Sequence, residues 1–446
     1  MPRTQVFLAS TLFGAATLAA ALDAGLFAPA DRRVLLVSNN AAVPETSPAP
    51  DTAPGFGALR GRFDRVISWN DTIAPLHPSG WSPRPDDVPL WERHLRRLWD
   101  LAGDEIELVV ESLHVAPALA LVDVFPNAPV EVYADGLMAY GPTRDKLEPL
   151  VTTRVNRVLH LDLVPGLRPL LLSEHGVPAE LVPAAAFTGV LAEMAGHDAD
   201  PAPLPEGGAL LLGQYLSALG ILTAAQEEEL HVRMVRGAVA AGHRTVVFKP
   251  HPTAPAHWSR VLEREAGALG AELIVADAAE LAEVLFVRAR PRLVVGCFST
   301  ALFTASALFG LPVARTGTGL VLERLAPYQN GNRVPVTIAD RLLPDLEDRE
   351  TLEAWVPPTA ERVEADLTPL IGAVGYCMQH KAYAHLREEA VHYLTSRLDS
   401  DTWRYFRRRR LTALALPGAV PSQLAFLSDN PTVRRVARRI RHAARG

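Results

Sequence analysis

The sequence predicts an α/β protein of two doubly wound domains that face each other across a cleft, followed by a helical region. Three observations carry this. The chain has 446 residues, too many for one ordinary core and enough for two domains of about 200 residues each. A theme of apolar strand, polar turn and amphipathic helix fills the first half, breaks at a proline- and glycine-rich stretch, and restarts after it. Strands alternating with helices of this length form βαβ units around a parallel sheet. Last, the apolar run 245–248 stops at Lys249, Pro250, His251 and Pro252. Prolines on both sides of a histidine fix the backbone and end the strand. A rigid cation and imidazole at a strand's carboxyl end suit an anionic ligand. Lys249 is also one of only three lysines, with Lys146 and Lys381.

The chain opens on a strand over residues 4–9. Ser10 and Thr11 then cap an alanine-rich helix over 12–22, closed by Asp23 and Gly25. This stretch has the apolar length of a secretory signal, but Arg3 alone gives it little of the required positive charge, so a strand and helix are expected. Further strands are expected at 33–37, 64–68, 106–110, 130–133 and 157–163, and helices at 91–101, 114–124 and 183–195. Pro183 opens the last of these, where its missing N–H costs nothing. Residues 196–208, rich in proline, glycine and aspartate, read as a linker. Strands follow at 209–213, 245–248, 272–275, 292–296 and 312–315, with helices at 224–241 and 299–309. From about Leu342 the pattern is helical. The expected organisation is a first domain over 1–195, a linker over 196–208, a second domain over 209–342 and a helical region with a basic tail over 343–446.

Composition narrows the function classes. The chain is 48% hydrophobic and 21% charged, a globular balance. A net charge of -6 gives no reason to expect nucleic acid. Cys297 and Cys377 lie far apart in apolar contexts, which argues against a disulfide framework or a zinc site. Beyond the first helix, no segment is apolar and long enough to span a bilayer.

Two further segments converge on the same kind of ligand. In residues 130–137, strand alternation runs to Tyr133 and then turns at Asp135 and Gly136. This places a carboxylate at a strand's carboxyl end, beside a glycine that allows close approach; Asp-Gly is equally a common turn pair. In residues 292–303 an apolar strand runs into Ser299 and Thr300, which start a helix. Hydroxyl residues there cap free amides, and the same amides and dipole bind phosphate or carboxylate. Gly213 and Gln214, after the first strand of the second domain, are placed to meet the ligand too. His77-Pro78 has no strand before it, the glycines over 55–61 have the wrong spacing for a dinucleotide fingerprint, and Asn70-Asp71-Thr72 is a sequon that matters only in a secreted protein.

Taken together, Ala134-Asp135-Gly136, His251-Pro252 and Ser299-Thr300 resemble, in order and spacing, the motifs of bacterial sialyltransferases of GT-B fold, particularly the capsular polysialyltransferase family and its lipooligosaccharide relatives. The opening strand and helix and the strand end Leu212-Gly213-Gln214 are similar as well, so the resemblance covers residues 4 to 340. It implies a GT-B-like pair of Rossmann-like domains and an inverting, metal-independent transfer of sialic acid from CMP-sialic acid to a hydroxyl of a sialylated surface glycan. Asp135 would be the base. His251 would protonate or hydrogen-bond the departing phosphate, with Lys249, Pro252, Ser299, Thr300, Gly213 and Gln214 on the donor side and Ser10 and Gly136 on the acceptor side. No cofactor is implied, because a single phosphate does not require a metal. An Asp-x-Asp pair, Asp198 and Asp200, falls in the linker rather than at a strand end. The family's first acidic position is Ala134 here, which touches acceptor preference more than chemistry. Two rivals stand beside this reading: a GT-B enzyme on another nucleotide sugar, such as CMP-Kdo or a UDP-sugar, and a non-catalytic glycan- or nucleotide-binding capsule-assembly protein.

The expected location is cytoplasmic and peripheral, at the inner face of the cell membrane. Arg407 to Arg410 and the six arginines of residues 431–445 would meet an anionic membrane or a polyanionic glycan through residues 404–445. A plain solvated helix face explains the same arginines.

Overall fold

The opening residues form a central strand. In the computed structural model, β1 (Arg3–Ala9) is buried from Thr4 onward and pairs in parallel with a strand on each side. Its apolar run has no polar face because helices cover both sides of the sheet. The structure describes residues 1–419, apart from 102, 135, 198–203, 252, 253, 255 and 256. Thr11 caps the helix Leu12–Asp23 by accepting a hydrogen bond from Gly14 N.

Six more strands complete the first sheet: β2 (Arg32–Val37), β3 (Arg65–Ser68), β4 (Glu105–Val110), β5 (Val130–Ala134), β6 (Val155–Leu161) and β7 (Ala179–Val182). Their order is β3-β2-β1-β4-β5-β6-β7, parallel throughout. The second sheet holds β8 (Ala209–Leu212), β9 (Thr245–Lys249), β10 (Glu272–Val275), β11 (Leu293–Gly296) and β12 (Val313–Arg315). It is also parallel, in the order β10-β9-β8-β11-β12. Both sheets therefore reverse direction beside their first strand, between β1 and β4 and between β8 and β11. In an open α/β sheet that reversal leaves a crevice at the strands' carboxyl ends, where ligands bind.

Local chemistry moved some boundaries. The helix expected over 114–124 begins only at Ala118, since Pro117 cannot continue a helix from its N-terminal side. The strand expected over 157–163 is β6, shifted two residues earlier, and the helix Ala184–His197 runs two residues past 195. Part of the stretch read as a linker, 198–203, lies outside the described residues. Residues 55–61 sit in a 3-10 turn (Phe56–Arg62), and the Asn70 amide exchanges hydrogen bonds with the Asn39 backbone.

Several seams among the described residues join the two sheets and the helical region. The helix Ala184–His197 packs on the helix Ala282–Ala289, and the helix Arg333–Leu342 packs on the turn Leu137–Tyr140. The helices Thr368–Gln379 and Arg387–Arg397 reach back to the first domain through Tyr383. Its buried hydroxyl accepts from Thr143 N at 2.9 Å and stands 2.5 Å from Glu174 Oε2. Gln379 adds a bond to the Arg144 carbonyl.

Several arginines read from sequence as tail charge are spent inside the fold. Arg404 pairs with buried Asp340 at 3.2 Å, Arg407 donates to the carbonyls of Leu322 and Glu323, and Arg410 donates to those of Cys377 and Met378. A planar guanidinium suits helix-end carbonyls that lack partners of their own. Residues 431–445 lie outside the described part. Among the described residues no helix is long and apolar enough to cross a membrane.

Candidate active site

The two switch points face one cleft and come into contact between Leu137 and Thr300. In the second domain, the ends of β9, β8 and β11 lie side by side. Gly213 N donates to the Lys249 carbonyl at 2.9 Å, and Gln214 Oε1 accepts from Phe298 N at 3.0 Å. A Cβ at Gly213 would stand 3.0 Å from the Phe248 ring, so glycine lets this turn lie flat against β9. The Tyr215 ring lies 6.2 Å from that of His251 and 5.7 Å from that of Trp258.

Ser299 caps the helix Thr300–Phe309, accepting from Ala301 N at 3.3 Å. Lys249 is half-buried, and its Nζ donates to the carbonyls of Pro250 and Ala278 at 3.3 and 3.1 Å. It thus pins the turn from behind. Burial holds its ammonium below the usual range, against the opposing pull of Glu283, Asp277 and Glu280. His251 is exposed at the cleft, with the turn around it and the Tyr215 ring as its surroundings. Desolvation by those surroundings, and then the Lys249 charge, push its imidazole down to about 4. A neutral imidazole is therefore present at pH 7.

In the first domain a cavity of about 320 Å³ opens between the ends of β1, β4 and β5. Ser10, Glu111, His114, Ala134, Gly136 and Arg144 are among the residues that line it. Both chain neighbours of Asp135 face this space; Asp135 itself, like Pro252, lies outside the described residues. Ser10 N donates to Glu111 Oε2 at 3.2 Å, and the hydroxyl of buried Tyr133 stands 3.5 Å from the same oxygen. His114 Nδ1 is buried with no hydrogen-bond partner among the described residues. Burial, then Arg144, holds that imidazole below its ordinary range.

The two sides join where the sequence placed its motifs. Leu137 N donates to Thr300 Oγ1 at 3.4 Å, and a Cβ built on Gly136 would lie 2.8 Å from that oxygen. Gly136 is extended (φ -166°), a conformation open to any residue, so it is the approach of Thr300 that demands glycine. A Gly136→Ala protein is expected to keep its fold and lose about tenfold in activity, since the methyl forces Thr300 off its position at a cost of about 1–2 kcal/mol. Steady-state rates read beside a melting curve check this.

The structure thus gathers Gly213, Gln214, Lys249, His251, Ser299 and Thr300 at one sheet edge and sets Ser10 and Gly136 across from them. Sequence reasoning missed Glu111, His114 and Arg144. For Glu111 a signal existed: like Asp135, it is a carboxylate just after an apolar run. His114 and Arg144 stand in loops with no periodicity to mark them.

Two Rossmann-like domains with a strand-end cleft between them are the GT-B arrangement. The chain belongs to the alpha-2,8-polysialyltransferase family, whose model matches residues 5–318, and is a sialyltransferase on that ground. Its substrates are accordingly a nucleotide-sugar donor and a glycan acceptor. No curated protein sequence matches the chain. Similar solved structures include MurG of Acinetobacter baumannii, with 12% identity, 86% of this chain and 95% of that one covered, and a TM-score of 0.40. A UDP-GlcNAc 2-epimerase of Methanocaldococcus jannaschii has 9% identity, coverage of 70% and 83%, and a TM-score of 0.43. The GT-B domain of a Photobacterium damselae sialyltransferase has 13% identity, coverage of 76% and 96%, and a TM-score of 0.38.

Proposed function

We propose that the protein is an inverting, metal-independent sialyltransferase that uses CMP-sialic acid and extends a sialylated surface glycan. The contact between Leu137 and Thr300 supports this reading, because it brings Gly136 beside the start of the Ser299–Thr300 helix, two strand positions from the His251 turn. Asp135 takes the proton of the acceptor hydroxyl as its oxygen attacks the anomeric carbon. The bond from that carbon to the CMP phosphate breaks with its electron pair on phosphate. His251 donates a hydrogen bond or proton to the phosphate oxygen, and Lys249 adds positive potential from behind the turn. Ser299, Thr300 and the amides of their helix hold the phosphate or the sialic acid carboxylate. CMP carries one phosphate, and these groups together match its charge without a divalent ion.

The test is CMP release from CMP-sialic acid, with and without sialylated oligosaccharides. Release that rises with acceptor, and a product whose new linkage has inverted anomeric configuration by NMR, is the expected result. No release despite measurable CMP binding would overturn the reading in favour of another donor sugar or a binding protein without turnover.

A further inference from the structure

Each sheet fills its own first strand–helix turn with an internal carboxylate. In the first domain Glu111 takes the amide of Ser10. In the second, Glu227 is wholly buried in the first turn of the helix Ala224–Ala240, and accepts from Leu216 N at 2.6 Å and Ser217 N at 2.7 Å. Two short charge-assisted bonds and the positive end of its own helix stabilise this anion. Free amides at such a turn are where an α/β sheet commonly seats a phosphate. Here the protein's own carboxylate has taken them.

The segment held this way is the one that builds the donor side. Gln214 fixes Phe298 N next to Ser299, and Tyr215 stands between His251 and Trp258. His231 is one helical turn beyond Glu227, on the same face of the helix. It is buried, packs on the rings of Phe248 and Trp258 at 5.3 and 5.4 Å, and closes the wall behind Tyr215.

We propose that Glu227 is a positioning residue of the donor site: by occupying the amides of Leu216 and Ser217 it sets the Tyr215 turn against His251 and leaves the helix start at Ser299 and Thr300 as the seat for a single phosphate. The inference rests on the reading of this edge as the nucleotide-sugar site. It also gives the chain a reason to disfavour diphosphate donors, whose second phosphate finds no free amides at the first turn.

Glu227→Gln tests it with little change of volume. The carboxamide accepts at one amide and sets its NH2 against the other, so the turn is pushed away. Expected are a donor KM and CMP dissociation constant raised about tenfold, an unchanged acceptor KM, and faster hydrogen exchange in the peptide spanning 214–217. In Glu227→Ala, acetate should restore donor affinity where isopropanol, of similar shape but uncharged, does not. CMP affinity at the wild-type level in Glu227→Gln overturns the proposal, whether or not exchange speeds up. Rescue of Glu227→Ala by isopropanol as well as acetate also overturns it, reducing Glu227 to filling. Wild-type protein that binds no CMP sinks the donor assignment instead, and unchanged exchange at 214–217 in Glu227→Gln then still refutes the positioning role.

Discussion

An Asp135→Ala protein is expected to bind CMP within about twofold of wild type and to transfer sialic acid at no more than about 1% of its rate. Removal of a general base costs about 10²–10⁴ in turnover, while the proposed donor contacts come from the opposite side of the cleft, at His251, Ser299 and Thr300. The split between chemistry and binding is the informative part. Transfer that persists at more than a few per cent would move the base role elsewhere, and Glu111, lining the cavity with Ala134 and Gly136, is the next carboxylate to remove. Isothermal titration with CMP beside single-turnover rates reads both quantities.

A His251→Ala protein is expected to lose turnover and donor affinity together, turnover by about 10²-fold. Its pH behaviour is as telling as its rate. In the empty cleft His251 is pushed down to about 4, and a bound phosphate raises it. Donor binding therefore takes up protons, and donor affinity rises as pH falls from the bound-state value toward 4, then levels off. The donor's phosphodiester keeps one charge across that range, so the slope belongs to the protein. The alanine variant should flatten it. Donor affinity measured from pH 8 to pH 5 decides, and a wild-type profile as flat as the variant's would reduce the His-Pro turn to scaffold.

Much of this site was legible because strand ends are. Thr245 to Phe248 is an apolar run closed by prolines, and no neighbour is needed to see that His251 follows a buried strand. The same logic found Gly213, Ser299 and Gly136. It failed where burial is one-sided or long-range. Strand β7 (Ala179–Val182) is an edge with three exposed residues and no alternation, so its composition carries no strand signal. Arg404, Arg407 and Arg410 look like solvated charge until helices distant in sequence bring Asp340 and orphan carbonyls to them. Glu227 sits in a run of three glutamates that reads as an ordinary polar helix face. Only the folded turn shows that one of the three points inward at two amides.

The joint at Tyr383 has a practical side. Of the three lysines, Lys249 is turned onto carbonyls behind the cleft, while Lys146 and Lys381 are both exposed, one on each side of the joint where Thr143 meets Tyr383. An amine-directed reagent therefore meets, beyond the N-terminal amine, a natural pair of handles across the seam between the first domain and the helical region. Dyes placed there would report any change in the distance across that seam, and a bifunctional linker of matching length would tie its two sides together, with no cysteine engineering.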